Sequence, residues 1–281
     1  MDKHNLFCIV IPIYNSVPCW YETLALKQLG KIVKDKNYNI YFVAPNDFNS
    51  YDKYDELLGL SPEHITFNKK YFKDEYTYSE LLTTPTFYKK FRQFDKMFIC
   101  QTDVYVFKDE FQKWADKDFD YIGGPIIGDT HETLWKKTLD IGNGGWSMRD
   151  VKTMIAITDS KILDMTNYKE LVDKHFLVED LFICNTLHYI YDMKFPTIDD
   201  SVAFGFDHNP QIAFDMNNHQ LPFGSHKYYS YSLFYEDFIN GIDENFKVLS
   251  FTKLYNDLKT KFGADTAKNI IDKEAMKYVK L

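Results

Sequence analysis

The sequence predicts an α/β protein built on a largely parallel sheet, and three observations carry that expectation. Short apolar runs rich in β-branched and aromatic residues recur through the first hundred residues, each ended by turn residues or a polar cluster. Between them stand stretches whose apolar residues fall three to four positions apart, the spacing of one helix face. No internal repeat, low-complexity tract or linker interrupts the alternation, so strand-helix-strand units and a parallel sheet follow.

Taken in order, LFCIVIPIY (6–14) is the first strand and Trp20 to Val33 the first helix. NIYFVAP (39–45) and HITF (64–67) are the next strands, Tyr78 to Phe91 is a helix, and KMFICQTDVYVF (96–107) is a fourth strand. The second half continues with FDYIGGP, then GGWSM as a short strand, a helix from about Asp150, and another from about Val178 to Tyr191. After Pro196 the pattern is irregular and aromatic. From about Phe251 to Leu281, two amphipathic helices broken near Gly263 carry lysines among Leu, Tyr, Phe and Ile. Tails of this kind cap a core or join a homodimer interface, and their lysines also suit peripheral contact with an anionic membrane surface.

At 281 residues, 45% hydrophobic and 17% aromatic, the chain can bury a substantial core. A net charge of -8 argues against a dedicated nucleic-acid binder, which needs a basic face. Cys8, Cys100 and Cys184 lie inside apolar runs and none of the four cysteines shows paired spacing, so a reducing cytoplasm is the expected compartment. The opening MDKHNLFCIVIPIYN has too short an apolar run for a secretory signal, and nothing else approaches a membrane-spanning length.

In open α/β sheets ligands collect beyond the carboxyl ends of strands, which directs attention to the polar residues there. The first strand ends in Pro12-Ile13-Tyr14-Asn15, where a ring and an amide could stack on and hydrogen-bond a base. The fourth contains Gln101-Thr102-Asp103 between MFIC and VYVF, and an acid in so apolar a segment must be paired, hydrogen-bonded or metal-bound. Glu179 and Asp180 precede an apolar helical pattern, where first-turn acids ordinarily serve as caps. The stretch GNGGWSMR (142–149) concentrates three of the chain's 12 glycines. Such a cluster is either a tight turn entering a strand or the wall of a ligand pocket. His226 follows a glycine in PFGSH and is by itself a weak signal.

As a series, IPIYN, FYKKF, QTDVYVF, DYIGGP, GNGGWSMR, VEDLFIC, FGF and LPFGSH resemble a bacterial family of glycosyltransferases with the GT-A fold, from about Ile9 to His226. The resemblance implies a Rossmann-like three-layer domain at 1–250 with a mixed, mostly parallel sheet. Its nucleotide-binding half would cover about 1–107 and its acceptor half 108–250, followed by a helical tail at 251–281. It implies transfer of a sugar from a nucleotide-diphosphate sugar, most naturally a UDP-sugar, to a hydroxyl on a glycan or lipid-linked acceptor. The expected setting is bacterial surface glycan synthesis in the cytoplasm or at the inner face of the membrane.

Carried onto this chain, the resemblance assigns the donor site to Pro12, Tyr14, Asn15, Gln101, Thr102, Asp103, Asn143, Gly144, Gly145 and Trp146, with the tryptophan offering a flat face to a sugar ring. Arg149 would pair with a phosphate or carboxylate, or tie its strand to a neighbouring helix. The metal-binding Asp-x-Asp of such enzymes reads Asp103-Val104-Tyr105 here, without its second carboxylate. Mn²⁺ or Mg²⁺ would therefore rest on Asp103 and His226, completed by diphosphate and water. The acidic pair occupies the position of the general base in inverting members, with Asp180 as the base and Glu179 as its substitute. Two other readings stay open: a sugar nucleotidyltransferase, whose glycine-rich basic phosphate loop SVPCWYETL does not provide, and a non-catalytic carbohydrate-binding or scaffold protein on a degenerate transferase fold.

Overall fold

A computed structural model of the chain describes residues 6–128, 142–159 and 178–242, together with positions 259, 260, 263 and 266. These residues belong to two compact units, 1–226 and 227–281. The expected tail helices fall almost wholly outside the described residues.

The first unit is organised on a sheet of six strands: β1 (Phe7–Pro12), β2 (Asn39–Pro45), β3 (Glu63–Phe67), β4 (Lys96–Cys100), β6 (Tyr121–Gly123) and β7 (Trp146–Asp150). Their order is β3-β2-β1-β4-β7-β6. The first four run parallel, and β7 is antiparallel to both β4 and β6, with Cys100 opposite Trp146. Short strands β5 (Tyr105–Val106), β8 (Gly205–Phe206) and β9 (Gly224–Ser225) make a second sheet in the order β5-β9-β8.

Both faces of the large sheet are covered, which is why its strands read as continuous apolar runs. Phe7, Ile9 and Ile11 turn to one face, in a core shared with Leu26, Leu29 and Val33 of α1 (Trp20–Val33), Tyr54 and Leu58 of α2 (Tyr51–Leu58), and Phe111 of α5 (Phe111–Ala115). Cys8 and Val10 turn to the other. There they meet Leu81 and Leu82 of α3 (Glu75–Leu82), Phe87 and Tyr88 of α4 (Pro85–Lys89), and Met154 and Ile157 of α6 (Val151–Thr158). The expected three-layer arrangement with a mixed, mostly parallel sheet is therefore present.

Two elements differ from expectation, each for a local reason. The helix expected over Tyr78–Phe91 is two helices, α3 and α4, because Pro85 holds Thr84 at φ -101 and ψ 139, outside the helical region. The long fourth strand breaks after Cys100, where Val104 N–H turns back onto the Gln101 carbonyl at 3.0 Å. The QTD segment is thus the turn by which the chain leaves the large sheet for β5.

Candidate active site

The strand order reverses between β1 and β4, and the carboxyl ends of these two strands define the candidate site. Gln101 marks the exit from β4, its N–H still donating to the Gly145 carbonyl at 2.9 Å. The next residue is tied elsewhere: the Thr102 hydroxyl donates to Glu22 Oε1 at 2.5 Å, while Glu22 Oε2 accepts the Cys19 N–H at 2.6 Å. Glu22 thereby clamps the turn to the start of α1. In the sequence it reads as an ordinary first-turn helix acid, so nothing local distinguished it.

The second component is a buried polar cluster around His226, which follows β9. Its Nε2 lies 3.0 Å from Gln101 Oε1 and 3.5 Å from Asp103 Oδ1. On the other side, its Nδ1 lies 3.0 Å from Asp207 Oδ1 and 2.8 Å from Asn143 Nδ2. Burial alone would push the Asp207 carboxyl up. The hydrogen bonds from His208 and His226 outweigh burial and hold it well below the usual carboxylate range. Asp207 carried no sequence signal, because an acid before His-Asn-Pro reads as a turn.

The glycine-rich stretch joins this cluster to the acidic pair. The Gly144 N–H donates to Asp180 Oδ2 at 2.9 Å, and Asp180 Oδ1 accepts its own neighbour's N–H, from Leu181, at 2.7 Å. A Cβ at Gly145 would stand 2.5 Å from both Gln101 Oε1 and His226 Nε2. A methyl group at Gly145 would displace these side chains, because the polar groups of the site lie directly on the backbone there. Asn143 completes the segment, its Oδ1 accepting the Trp146 N–H at 2.9 Å.

Glu179 and Asp180 open α7 (Glu179–Phe182), which continues through a wide π turn at Ile183–Leu187, a distortion frequent near functional sites. Glu179 is buried and pairs with Arg149 Nη2 at 2.5 Å. Arg149, fully buried, also donates to Tyr88 Oη at 2.9 Å, Ser147 Oγ at 3.1 Å and the Gly144 carbonyl at 3.3 Å. It ties β7 to α4 and α7. Burial, with the neighbouring Glu179 charge added, pushes the Asp180 carboxyl up to about 7 against the two backbone donors.

Two expected ligand contacts are corrected. Trp146 has no face to offer a sugar: it is completely buried, stacked on Phe204 with ring centroids 5.2 Å apart and donating its Nε1–H to the Phe204 carbonyl. Its apolar surface stabilises the layer between the two sheets instead. Pro12 is likewise buried within β1, paired opposite Val43. Tyr14, by contrast, is 54% exposed, and the exposed Asn15 has its carbonyl bonded by Tyr54 Oη at 2.7 Å.

Among the described residues no group of three or more His, Cys, Asp or Glu side chains is placed to hold a metal ion. What converges is a mixed set: the Asp103 carboxylate, the Gln101 amide oxygen and His226 Nε2. Its two oxygens and the carboxylate behind the imidazole fit a hard divalent cation as part of a shell that other ligands would complete.

Several solved structures are similar. The galactosyltransferase LgtC, in complex with donor and acceptor sugar analogs, shares 16% identity and a TM-score of 0.47 over 78% of this chain and 86% of its own. A glycosyltransferase involved in the glycosylation of the major capsid of PBCV-1 shares 13% identity and a TM-score of 0.46 over 78% and 92%. GlyE of Streptococcus pneumoniae TIGR4 shares 14% and 0.46 over 80% and 55%. Likeness of this degree assigns no role to any residue. No curated protein matches the chain. The family described as Protein of unknown function (DUF5672) matches residues 62–226, from β3 to the histidine of the site.

Proposed function

The chain belongs to the DUF5672 family, and from that footing we propose that it is a GT-A glycosyltransferase. It moves a sugar from a nucleotide-diphosphate donor, a UDP-sugar by preference, to a hydroxyl of a glycan or lipid-linked acceptor. One observation carries this reading. Adjacent glycines, Gly144 and Gly145, touch Asp180 on one side and the Gln101 and His226 side chains on the other, beyond the ends of β1 and β4. A carboxylate of raised proton affinity and a set of donors suited to a diphosphate's cation thus flank the same two residues.

In this reading Tyr14 and Asn15 present an exposed ring and amide to the nucleotide, and Gln101, Asp103 and His226 face its diphosphate. Mn²⁺ or Mg²⁺, when bound there, supplies charge that stabilises the departing nucleotide diphosphate. Asp180 takes the proton of the acceptor hydroxyl on the face opposite the leaving nucleotide, which makes the reaction inverting. Glu179 holds Arg149 and through it the Gly144 carbonyl, so its contribution is to position Asp180. The deciding experiment is a hydrolysis screen across nucleotide sugars with and without Mn²⁺. Release of free nucleotide from one donor identifies the substrate class, and failure of UDP, GDP and other nucleotides to bind at millimolar concentration overturns the proposal.

Asp103→Ala and His226→Ala are each expected to weaken Mn²⁺-dependent UDP binding by about tenfold or more, measured by calorimetry. If neither matters and activity survives EDTA, the metal has no part in the reaction. Gly145→Ala must displace Gln101 and His226, since its methyl group would lie 2.5 Å from both. A misplacement near 1 Å costs about a hundredfold in turnover. Wild-type turnover in this variant would remove the two side chains from the working site.

A further inference from the structure

We propose that Asp207 is a positioning residue that keeps the proton of His226 on Nδ1, and so aims the ring's Nε2 at Gln101 and Asp103. The inference rests on the reading of His226 as a cation ligand but uses residues outside the expected site. Strands β8 and β9 run parallel with Phe206 opposite Ser225, so the next residue of each, Asp207 and His226, leaves the small sheet side by side. The His226 N–H donates to the Phe206 carbonyl at 2.9 Å, which anchors the ring's backbone to the same strand that delivers the carboxylate. Both residues are buried, at 3% and 4% exposure, so their hydrogen bonds are made within the protein.

Among the described residues, two side chains meet Nδ1 with opposite demands. Asn143 has its Oδ1 occupied by the Trp146 N–H, so its amino group faces the ring at 2.8 Å and favours a bare Nδ1. Asp207 Oδ1, at 3.0 Å, favours a protonated one. The carboxylate wins. A hydrogen bond to an ionised acceptor is about twice as strong as one between neutral groups, and a buried carboxylate oxygen left without a donor costs more than an amino group does. Asp207 Oδ2 is meanwhile taken by His208 Nδ1 at 2.7 Å, so the carboxylate cannot turn away without losing a second partner.

The consequence falls on Nε2, which faces two oxygens, Gln101 Oε1 at 3.0 Å and Asp103 Oδ1 at 3.5 Å. With the ring neutral and its proton held on Nδ1 by Asp207, Nε2 is the nitrogen whose lone pair a bound cation would use. Were the proton on Nε2 alone, the ring would simply donate to Gln101 and close the site. Carboxylates behind metal-bound imidazoles act in this way generally, and their loss typically lowers affinity 10- to 100-fold.

The test uses the full-length protein labelled with ¹⁵N, with the His226 ring identified among the 8 histidines by comparison with His226→Ala. Nitrogen spectra are recorded for the free protein and with Mg²⁺ and UDP, and Mn²⁺ affinity is measured by calorimetry with UDP present. The expected wild-type result is a protonated Nδ1 and an unprotonated Nε2 in both states. In Asp207→Asn, nearly isosteric, the proton is expected to move to Nε2, with Mn²⁺ affinity lowered 10- to 100-fold. An unprotonated Nδ1 in the wild type, or a ring of the free protein protonated on both nitrogens, overturns the inference without recourse to any variant, as does an unchanged tautomer in a folded Asp207→Asn protein. If wild-type protein binds no Mn²⁺ yet the ring responds to Asp207→Asn as expected, the positioning role stands and the metal reading of the site falls.

Discussion

The Asp180→Asn protein is expected to fold, to bind UDP as the wild type does, and to transfer sugar about 10²- to 10⁴-fold more slowly, the range that general-base catalysis contributes. The structure makes this a sharp test, because Asp180 also serves the local backbone, its two oxygens accepting the N–H groups of Gly144 and Leu181. An asparagine keeps one acceptor oxygen and loses the other, at about 1 kcal/mol. Relief of a buried charge beside Glu179 offsets part of that cost. A purely structural residue would therefore show a small change in melting temperature and unchanged turnover per folded molecule. Full activity in Asp180→Asn would end its candidacy as the base.

If Asp180 is the base, the same carboxyl sets the pH dependence. Burial and the Glu179 charge push it up to about 7, so the base form accumulates only as pH rises through that value, and kcat/KM of the wild type should climb there. The sign for stability is opposite. A folded-state value above the unfolded one, about 4 for an aspartate, gives stabilisation that is full below about 4 and lost as pH rises through 7. Both effects should vanish in Asp180→Asn, which a pH series of turnover and of denaturant midpoints would reveal.

Arg149→Met is expected to cost about 3–5 kcal/mol of folding stability, the usual penalty for removing one partner of a buried ion pair. The guanidinium is completely buried and serves Glu179, Tyr88, Ser147 and the Gly144 carbonyl. Methionine fills the space of the stem but leaves the Glu179 carboxylate buried without its cation. The double variant Arg149→Met, Glu179→Gln should regain a substantial part of the loss, because the stranded charge is then gone. Urea unfolding of the single and double variants measures both quantities. A single-variant loss below about 1 kcal/mol, the size of an exposed pair, would contradict the burial of this pair.

The helix over Trp20–Val33 and the strand over Asn39–Pro45 occur at the residues expected of them, because each follows from a periodicity carried within its own few residues. The alternation of such elements also foretold a parallel sheet, and so directed attention to the polar side chains beyond its strand ends.

Contacts across long separations were legible only in the folded chain. Trp146 and Asp207 show why. A tryptophan after two glycines looks the same in sequence whether it lines a pocket or, as here, is stacked on Phe204 from another part of the chain. An acid before a histidine gives no sign that it will meet a second histidine 19 residues on, or that this one will meet Gln101 across 125. The partners of Arg149 likewise come from three stretches, with Tyr88 and Glu179 61 and 30 residues away. By itself, then, the sequence determined the local elements and the alternation that builds a parallel sheet, since those follow from short-range pattern. Which polar groups are paired, which are buried and which glycine must remain a glycine were decided by tertiary packing, because burial and hydrogen bonding are properties of neighbours in space.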